Sequence, residues 1–522
     1  MAFNTKIHLR RNIEALEAVQ PVDLTAAEIG VRIGANWVPV EIYQQFMVET
    51  FGTSYYARSR IKILRSGATG QWGITGKNTD PGNVKAFTTY GTKRMNAYQI
   101  LEQTLNQRDV RIFDYVEDEN GNKKPVLNKK ETAIAQDRQE LIKQRFSEWI
   151  WKDIDRRELL CGIYNETFNS SRPREYDGRH ITFSGMNPEI TLRPHQRNAV
   201  ARILFGGNTL VAHAVGAGKT IVMGAAAMEK KHLGLCSKTM IVVPNHLTEQ
   251  IGSELLTLYP NANILVAAKR DFEKDRRKLF CSRIATGNYD IVILGHSQFT
   301  RLPLSDERQQ QFLRDEIEQF TEVINAAKKE RTGQELSVKQ LERAKKSLES
   351  RLEKLMDAPK DDAVTFEELG VDSLMVDEAH QFKNLAVQTK MQNVSGITTA
   401  ESRKATDLLM KCQYLDEITD GKGVVFCTGT PISNSAAELY TMMRYIQADT
   451  LREHGLYAFD AWAANFGETV SAMELAPEGT GYRSIVQFVQ RRYRGRNQTR
   501  ANAGAGREKG WHVLNCPQKM TD

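Results

Sequence analysis

The sequence predicts an α/β fold: a parallel sheet with helices on both faces, an inserted helical hairpin, and an α+β accessory region ahead of it. Three observations lead there. From about Thr191 to Tyr445, short apolar runs alternate with helix-length segments, the spacing of strand–helix–strand units. Each run ends in polar residues or glycine, as expected where a parallel sheet offers its carboxyl edge to a ligand. A highly charged stretch, Ser305 to Asp357, interrupts the alternation with Leu341, Ala344, Leu348, Leu352 and Leu355 spaced as on one helix face.

Taken in order, residues 1–180 mix amphipathic stretches with short strand signals. Arg60 to Gly76 has two runs about a glycine-rich turn and predicts a hairpin. Trp37, Trp72, Trp149 and Trp151 are expected to pack in a core rather than form a binding face. Residues 181–449 form the sheet domain, with predicted strands at Asn208–Val215, Thr239–Pro244, Asp290–His296, Ser373–His380 and Gly423–Pro431. Within it, residues 303–362 form a coiled-coil arm turning at Arg331-Thr332-Gly333. Residues 450–522 read as an extension ending in a flexible basic tail.

Composition excludes several classes. No apolar run approaches the roughly 18 to 20 residues that cross a bilayer, and MAFNTKIHLRRN lacks the apolar core of a signal peptide, so a cytoplasmic protein with no membrane partner is expected. The six cysteines include no C-x-x-C pair, which argues for reduced thiols and against a zinc site. The net charge of +7 resides in the tail: eight basic residues lie between Arg483 and Lys509 against the single acid Glu508. Among them, Arg491, Arg492, Arg494, Arg496 and Arg500 are candidate phosphate contacts.

The chemistry centres on GAGKT, Gly216 to Thr220, which follows an apolar run and opens a helical one. Backbone N–H groups of Gly216, Ala217 and Gly218 at a helix start suit phosphate oxygens; Lys219 adds positive charge and the Thr220 hydroxyl reaches Mg²⁺. His213 stands where the full phosphate-loop pattern has its first glycine. Downstream, Ser373 to Val376 reads as a buried strand delivering Asp377 and Glu378 at its end. Asp377 would hold Mg²⁺, and Glu378 would polarise the water that attacks ATP.

Together these motifs resemble the superfamily 2 helicase ATPase core, a RecA-like parallel sheet. LRPHQ, Leu192 to Gln196, looks like the glutamine motif of Swi/Snf-type translocases, in which Gln196 would read the adenine of ATP. VVPNHLTEQ, GHSQF and TGTPISN are similar to further motifs in the family's order. The resemblance implies that Pro244, Asn245, Ser297 and Gln298 face the nucleic-acid backbone. It also implies that Thr428 and Thr430 couple Glu378 and His380 to that face.

The wording of AHAVGAGKT, EELGVDSLMVDEAH and TGTPISNS, with NIEALEAVQPVDLTAAEI and RIGANWVPVEIYQQFM, narrows the resemblance to the large methylase-helicase proteins of phages and conjugative elements. It implies duplex DNA as the track and an adenine DNA methyltransferase as companion. No N-P-P-[YF] motif occurs here, so any methylase is expected outside this chain.

Two departures bear on turnover. His213-Ala214 replaces an acid before the phosphate loop. After Tyr445 too few residues remain for a complete second RecA-like domain, the family's source of arginine fingers, and Gln490 to Arg500 comes too early to be that motif. The expectation is thus an ATP-dependent duplex-DNA translocase or helicase. The alternative is a truncated module that binds ATP and DNA with little hydrolysis; an RNA helicase is disfavoured by LRPHQ and the arm.

Overall fold

Six short strands line up to form the central sheet of the computed structural model: β1 (Thr209–Val211), β2 (Thr239–Val243), β3 (Ile264–Val266), β4 (Ile291–Gly295), β5 (Ser373–Val376) and β6 (Val424–Cys427). Their order is β1-β6-β5-β2-β4-β3, and every neighbouring pair is parallel. The structure describes residues 2–66, 70–117, 123–170, 174–273, 276–329, 335–356, 364–387, 389, 394–395, 397, 402–433, 435, 437–475 and 482–490.

β2, β4, β5 and β6 are buried along their whole lengths. A parallel strand covered on both faces has no solvent side, which is why each reads as a continuous apolar run. The period of two reappears as a division between two cores. Met240, Val242, Leu294, Val376 and Phe426 enter one; Ile241, Val243, Ile293, Met375 and Val425 enter the other. Helices α1 (Pro194–Phe205), α2 (Lys219–His232) and α3 (Thr248–Leu258) close the second core through Val200, Val222 and Leu255. On the first face lie α4 (Arg277–Thr286), α7 (Arg403–Thr419) and α8 (Ala437–Ile446), contributing Phe280, Leu408 and Tyr445. The α/β class with helices on both faces is therefore as the sequence predicts.

Connectivity places the site. The chain leaves β1 at one edge, builds β2, β3 and β4 beyond it, and returns to fill the gap with β5 and β6. Val211 is level with Cys427, and Val376 is level with both Phe426 and Val242, so the carboxyl ends form one rim. β1 and β5 stand two strand spacings apart, about 10 Å.

The inserted arm is a pair of helices packed together, α5 (Asp306–Lys329) and α6 (Glu335–Met356), between β4 and β5. At 1.5 Å per residue, α5 is about 36 Å long. Its base is clasped: Phe366 N donates to Pro303 O at 2.8 Å and Ser305 Oγ to Glu367 Oε1 at 2.7 Å. Arg308 makes a two-pronged pair with Glu417 of α7 at 3.0 and 2.8 Å. The predicted turn at Arg331-Thr332-Gly333 lies outside the described residues.

Ahead of the sheet domain, helices Val40–Phe51, Ala97–Leu105, Lys129–Trp149 and Ile154–Phe168 share a core of their own with a hairpin. That hairpin pairs Ile63–Arg65 antiparallel with Trp72–Ile74, inside the span the sequence predicts. A second hairpin joins Phe113–Glu117 to Lys123–Leu127. Trp72 is buried, and Trp37, Trp149 and Trp151 pack against the same core. Arg156 lies 3.6 Å over the Trp149 ring, and the indole N–H donates to Glu49 at 2.7 Å.

Past α8, helices Ala448–Glu453 and Phe459–Phe466 lead into antiparallel strands Gly467–Leu475 and Tyr482–Gln490; Val394–Ser395 pairs parallel with the second strand. These elements lie in the first part of the extension expected over residues 450–522. The basic cluster Arg491, Arg492, Arg494, Arg496 and Arg500 lies outside the described residues. Cys236, Cys281, Cys412 and Cys427 are buried free thiols, and Cys161 is half-buried. Among the described residues, no helix is long and apolar enough to cross a membrane.

Candidate functional site

The rim of β1, β6 and β5 carries the three motifs that the sequence singles out. From β1 the chain turns through Gly216 and Gly218, both left-handed at φ +82° and +83°, into α2. Left-handed backbone at these two positions is open to glycine at no steric cost. The turn leaves the first N–H groups of α2 without intrahelical partners, at the positive end of the helix dipole. Lys219 is the first residue of α2, and its Nζ reaches back to His213 O at 3.4 Å. Thr220 is half-buried on the same turn.

Gln196 is buried on α1 and serves the loop directly. Its Nε2 donates to Ala217 O at 3.0 Å, while its Oε1 accepts from Arg193 N at 2.8 Å. A Cβ at Gly218 would stand 2.2 Å from that Nε2. His195 Nε2 donates to the same Ala217 carbonyl at 3.1 Å. Gln196 thus braces the Gly216–Gly218 turn through one bond on each amide atom, which leaves a second N–H and a second carbonyl lone pair on the same amide.

At the end of β5, Asp377 N donates to Val242 O at 2.8 Å, tying the acid pair to the neighbouring strand. The Asp377 side chain is buried, and among the described residues its Oδ1 has no hydrogen-bond partner. Burial, reinforced by the charge of Glu378, holds its carboxyl above the usual range; Lys219 and His380 pull the other way. Glu378 adopts φ +48°, a left-handed conformation unusual for a residue with a side chain.

Glu378 Oε2 lies 3.1 Å from His380 Nδ1, and the same nitrogen lies 3.1 Å from Thr428 Oγ1. Thr430 N donates to Thr428 Oγ1 at 3.1 Å, and Thr428 N to Val211 O at 3.1 Å. A Cβ at Gly429 would stand 3.1 Å from Val215, so the Thr428–Thr430 turn lies on the loop that leads from β1 to Gly216. Glu378, His380, Thr428 and Thr430 therefore form one chain of contacts from β5 to β6. Because Nδ1 offers one bonding position, its proton goes to Glu378 or its lone pair takes the Thr428 hydroxyl proton.

Further along the rim, Asn245 Oδ1 accepts from both Ser297 N and Ser297 Oγ at 3.0 Å, and both residues are exposed. Pro244 is buried beside them. Gln298 is half-buried with its amide engaged, accepting from Gly295 N at 2.7 Å and donating to Ala268 O at 3.0 Å. Of these four residues, Asn245 and Ser297 offer polar groups to a ligand, while Pro244 and Gln298 shape the segment.

Sequence reasoning passed over His296. It is buried, donates through Nε2 to Asp377 O at 2.9 Å, and pairs through Nδ1 with the Gln381 side chain at 3.0 Å. Burial lowers its basicity, and the bonds to Gln381 and the Asp377 carbonyl pull the other way. It links the β4 turn, where Ser297 sits, to the acid pair. A polar residue directly after an apolar strand was the available signal. His213, a departure from the phosphate-loop pattern, has its ring 5.4 Å from that of His195, and among the described residues its buried Nδ1 has no partner.

A family model described as "Probable helicase domain" matches residues 203–493, and a domain model of unknown function, DUF8437, matches 32–170. The chain is 23% identical over 370 residues to "Defense against restriction protein B" of Escherichia phage P1, which covers 63% of this chain. It spans only 16% of the length of that relative. Among solved structures, the Sulfolobus solfataricus SWI2/SNF2 ATPase core in complex with dsDNA is similar at 16% identity. The match covers 53% of this chain and 40% of that one, with a TM-score of 0.30, a partial superposition that adds nothing to the fold described above. The helicase model spans more than half of the sequence and takes in every strand of the central sheet, and the chain belongs to the probable helicase domain family.

Proposed function

We propose that this chain binds Mg²⁺·ATP on the β1–β6–β5 rim and couples its hydrolysis to movement on duplex DNA. The observation that carries the reading is the junction of phosphate loop, acid pair and Thr428 turn in one network. A nucleotide-binding loop alone needs no such connection.

The residues fit the cation. A buried carboxylate oxygen without a partner, Asp377 Oδ1, is costly to leave unsatisfied, and Mg²⁺ is a hard ion that takes one or two carboxylates and keeps several waters. Asp377 and Thr220 would hold it, where it would neutralise charge on the phosphates. Lys219 and the N–H groups opening α2 would bind the β and γ phosphates. Glu378 would accept the proton of the attacking water, with His380 orienting its carboxylate. Exchange of His380 Nδ1 between Glu378 and Thr428 would report the state of the nucleotide to β6. Through His296, it would also report to Asn245 and Ser297, which would meet the DNA backbone.

In the family resemblance, a second RecA-like domain supplies an arginine worth about 10³ to 10⁵ in rate. That domain and an adenine DNA methyltransferase are proposed partners. A second reading, nucleotide binding without turnover, is favoured by His213-Ala214 standing where an acid is expected. Both readings require the same first result. Calorimetry should detect ATP binding that depends on Mg²⁺ and weakens about ten- to a hundredfold in Lys219→Ala, the loss of one charge-assisted contact. ATP binding unchanged in that variant would overturn both.

A further inference from the structure

The N-terminal region carries an exposed feature that the nucleotide site does not use. Tyr55 and Tyr56 begin the short helix Tyr55–Arg58 and are 81% and 87% exposed, among the barest large side chains described. From Thr50 to Thr79 the sequence has Arg58, Arg60, Lys62, Arg65 and Lys77 and no acid. Arg58, Arg60 and Lys62 are exposed, and among the described residues none forms an ion pair. Glu102 meets this segment at Ile74 N and pairs with Lys77 at 2.7 Å, away from Arg58, Arg60 and Lys62 in the sequence, and Asp80 is buried and turned inward to Ser54 N, Asn83 and the Tyr98 hydroxyl. Its charge therefore does little to offset the basic face.

Backbone bonds fix the arrangement. Arg58 N donates to Ser54 O at 3.1 Å and Ile61 N to Ala57 O at 2.9 Å, so the helical path runs to Ile61. Spacings of three and four then set Tyr55 beside Arg58 and Tyr56 beside Arg60. The far side is clamped by Thr75, whose Oγ1 donates to Arg60 O at 3.2 Å and accepts from Lys62 N at 3.2 Å. Gly76 completes the clamp at φ +61°, where a Cβ would stand 2.7 Å from Arg60 O. The aromatic and cationic groups are thus presented on a held backbone, with nothing of the core gained by their exposure.

We infer that Tyr55, Tyr56, Arg58, Arg60 and Lys62 form a contact site for a single-stranded nucleic acid. The tyrosine rings would stack unpaired bases, and the three cations would take neighbouring phosphates. A duplex offers phosphates but keeps its base faces stacked, so only a single strand uses both halves of the site. The inference does not depend on ATP binding or hydrolysis.

The test measures fluorescence anisotropy without nucleotide, using the full chain with oligo-dT, oligo-U and a duplex of equal length. Tyr55→Ala/Tyr56→Ala should lose about tenfold or more in affinity for the single strands and little for the duplex. Arg58→Ala/Arg60→Ala/Lys62→Ala should flatten the log K against log salt slope for oligo-dT by about 2, at 0.7 per lost contact. Unchanged thermal unfolding verifies folding, and an iodouracil-substituted oligo-dT should cross-link within 55–56. The oligo-dT and oligo-U arms separate DNA from RNA. Equal losses on duplex and single strand would make this a backbone site and overturn the stacking proposal, as would cross-links elsewhere with affinity unchanged in the tyrosine variant.

Discussion

At Glu378 the left-handed backbone costs on the order of 1 kcal/mol or more, a cost glycine would not bear. Glu378→Gly should therefore stabilise the chain by about 1 kcal/mol in denaturant unfolding while removing ATP turnover. A destabilised variant would show that the conformation is not strained. Asp377 makes a second residue-scale prediction. Burial and Glu378 raise its carboxyl above the ordinary 3.8, so the folded chain holds this proton more tightly than the unfolded one. By linkage, its contribution to stability is lost as pH rises through the raised value. Asp377→Asn, which cannot ionise, should gain stability over the parent chain as pH moves from acid to neutral without Mg²⁺, and should lose Mg²⁺-dependent ATP stabilisation. Parallel pH profiles for the two proteins would remove the argument.

At the scale of elements, the arm is an insertion whose ends already meet. Pro303 and Phe366 share a backbone hydrogen bond, and β4 and β5 on either side are held by β2 between them. Replacing residues 306–362 with a short glycine linker should leave the sheet domain folded, since loop closure across adjacent ends costs little. Circular dichroism should keep one cooperative unfolding transition, and ATP affinity should stay within about threefold. Loss of the transition would mean that the Arg308–Glu417 and Arg444–Glu316 pairs are required for the fold rather than for the arm's pose.

For the whole molecule, what was legible in the sequence follows from burial. Strands buried on both faces announce themselves as unbroken apolar runs, and β2, β4, β5 and β6 fall within the predicted spans. β3 was missed because an edge strand of three residues, only half-buried, has neither length nor pattern. The strand pair Gly467–Leu475 and Tyr482–Gln490 was missed because it is antiparallel, with polar residues interspersed among the apolar ones, and so shows no unbroken apolar run. In the site, residue types and order singled out the Gly216–Thr220 turn and the Asp377–Glu378 pair, whose partners come from adjacent strands. Sequence could not show that Gln196 and Gln298 spend their amides on carbonyls and N–H groups. Nor could it show that His296 bonds to Asp377 O, because those pairings depend on how distant segments meet.

The central claim is that the network on the rim drives a DNA-dependent ATPase. Steady-state ATP hydrolysis, measured with and without duplex DNA beside Lys219→Ala and Glu378→Gln, tests it most directly. The account predicts turnover that rises with duplex DNA, falls about a hundredfold or more in Glu378→Gln with ATP binding retained, and disappears in Lys219→Ala. Turnover indifferent to DNA, or undiminished in Glu378→Gln, would contradict it.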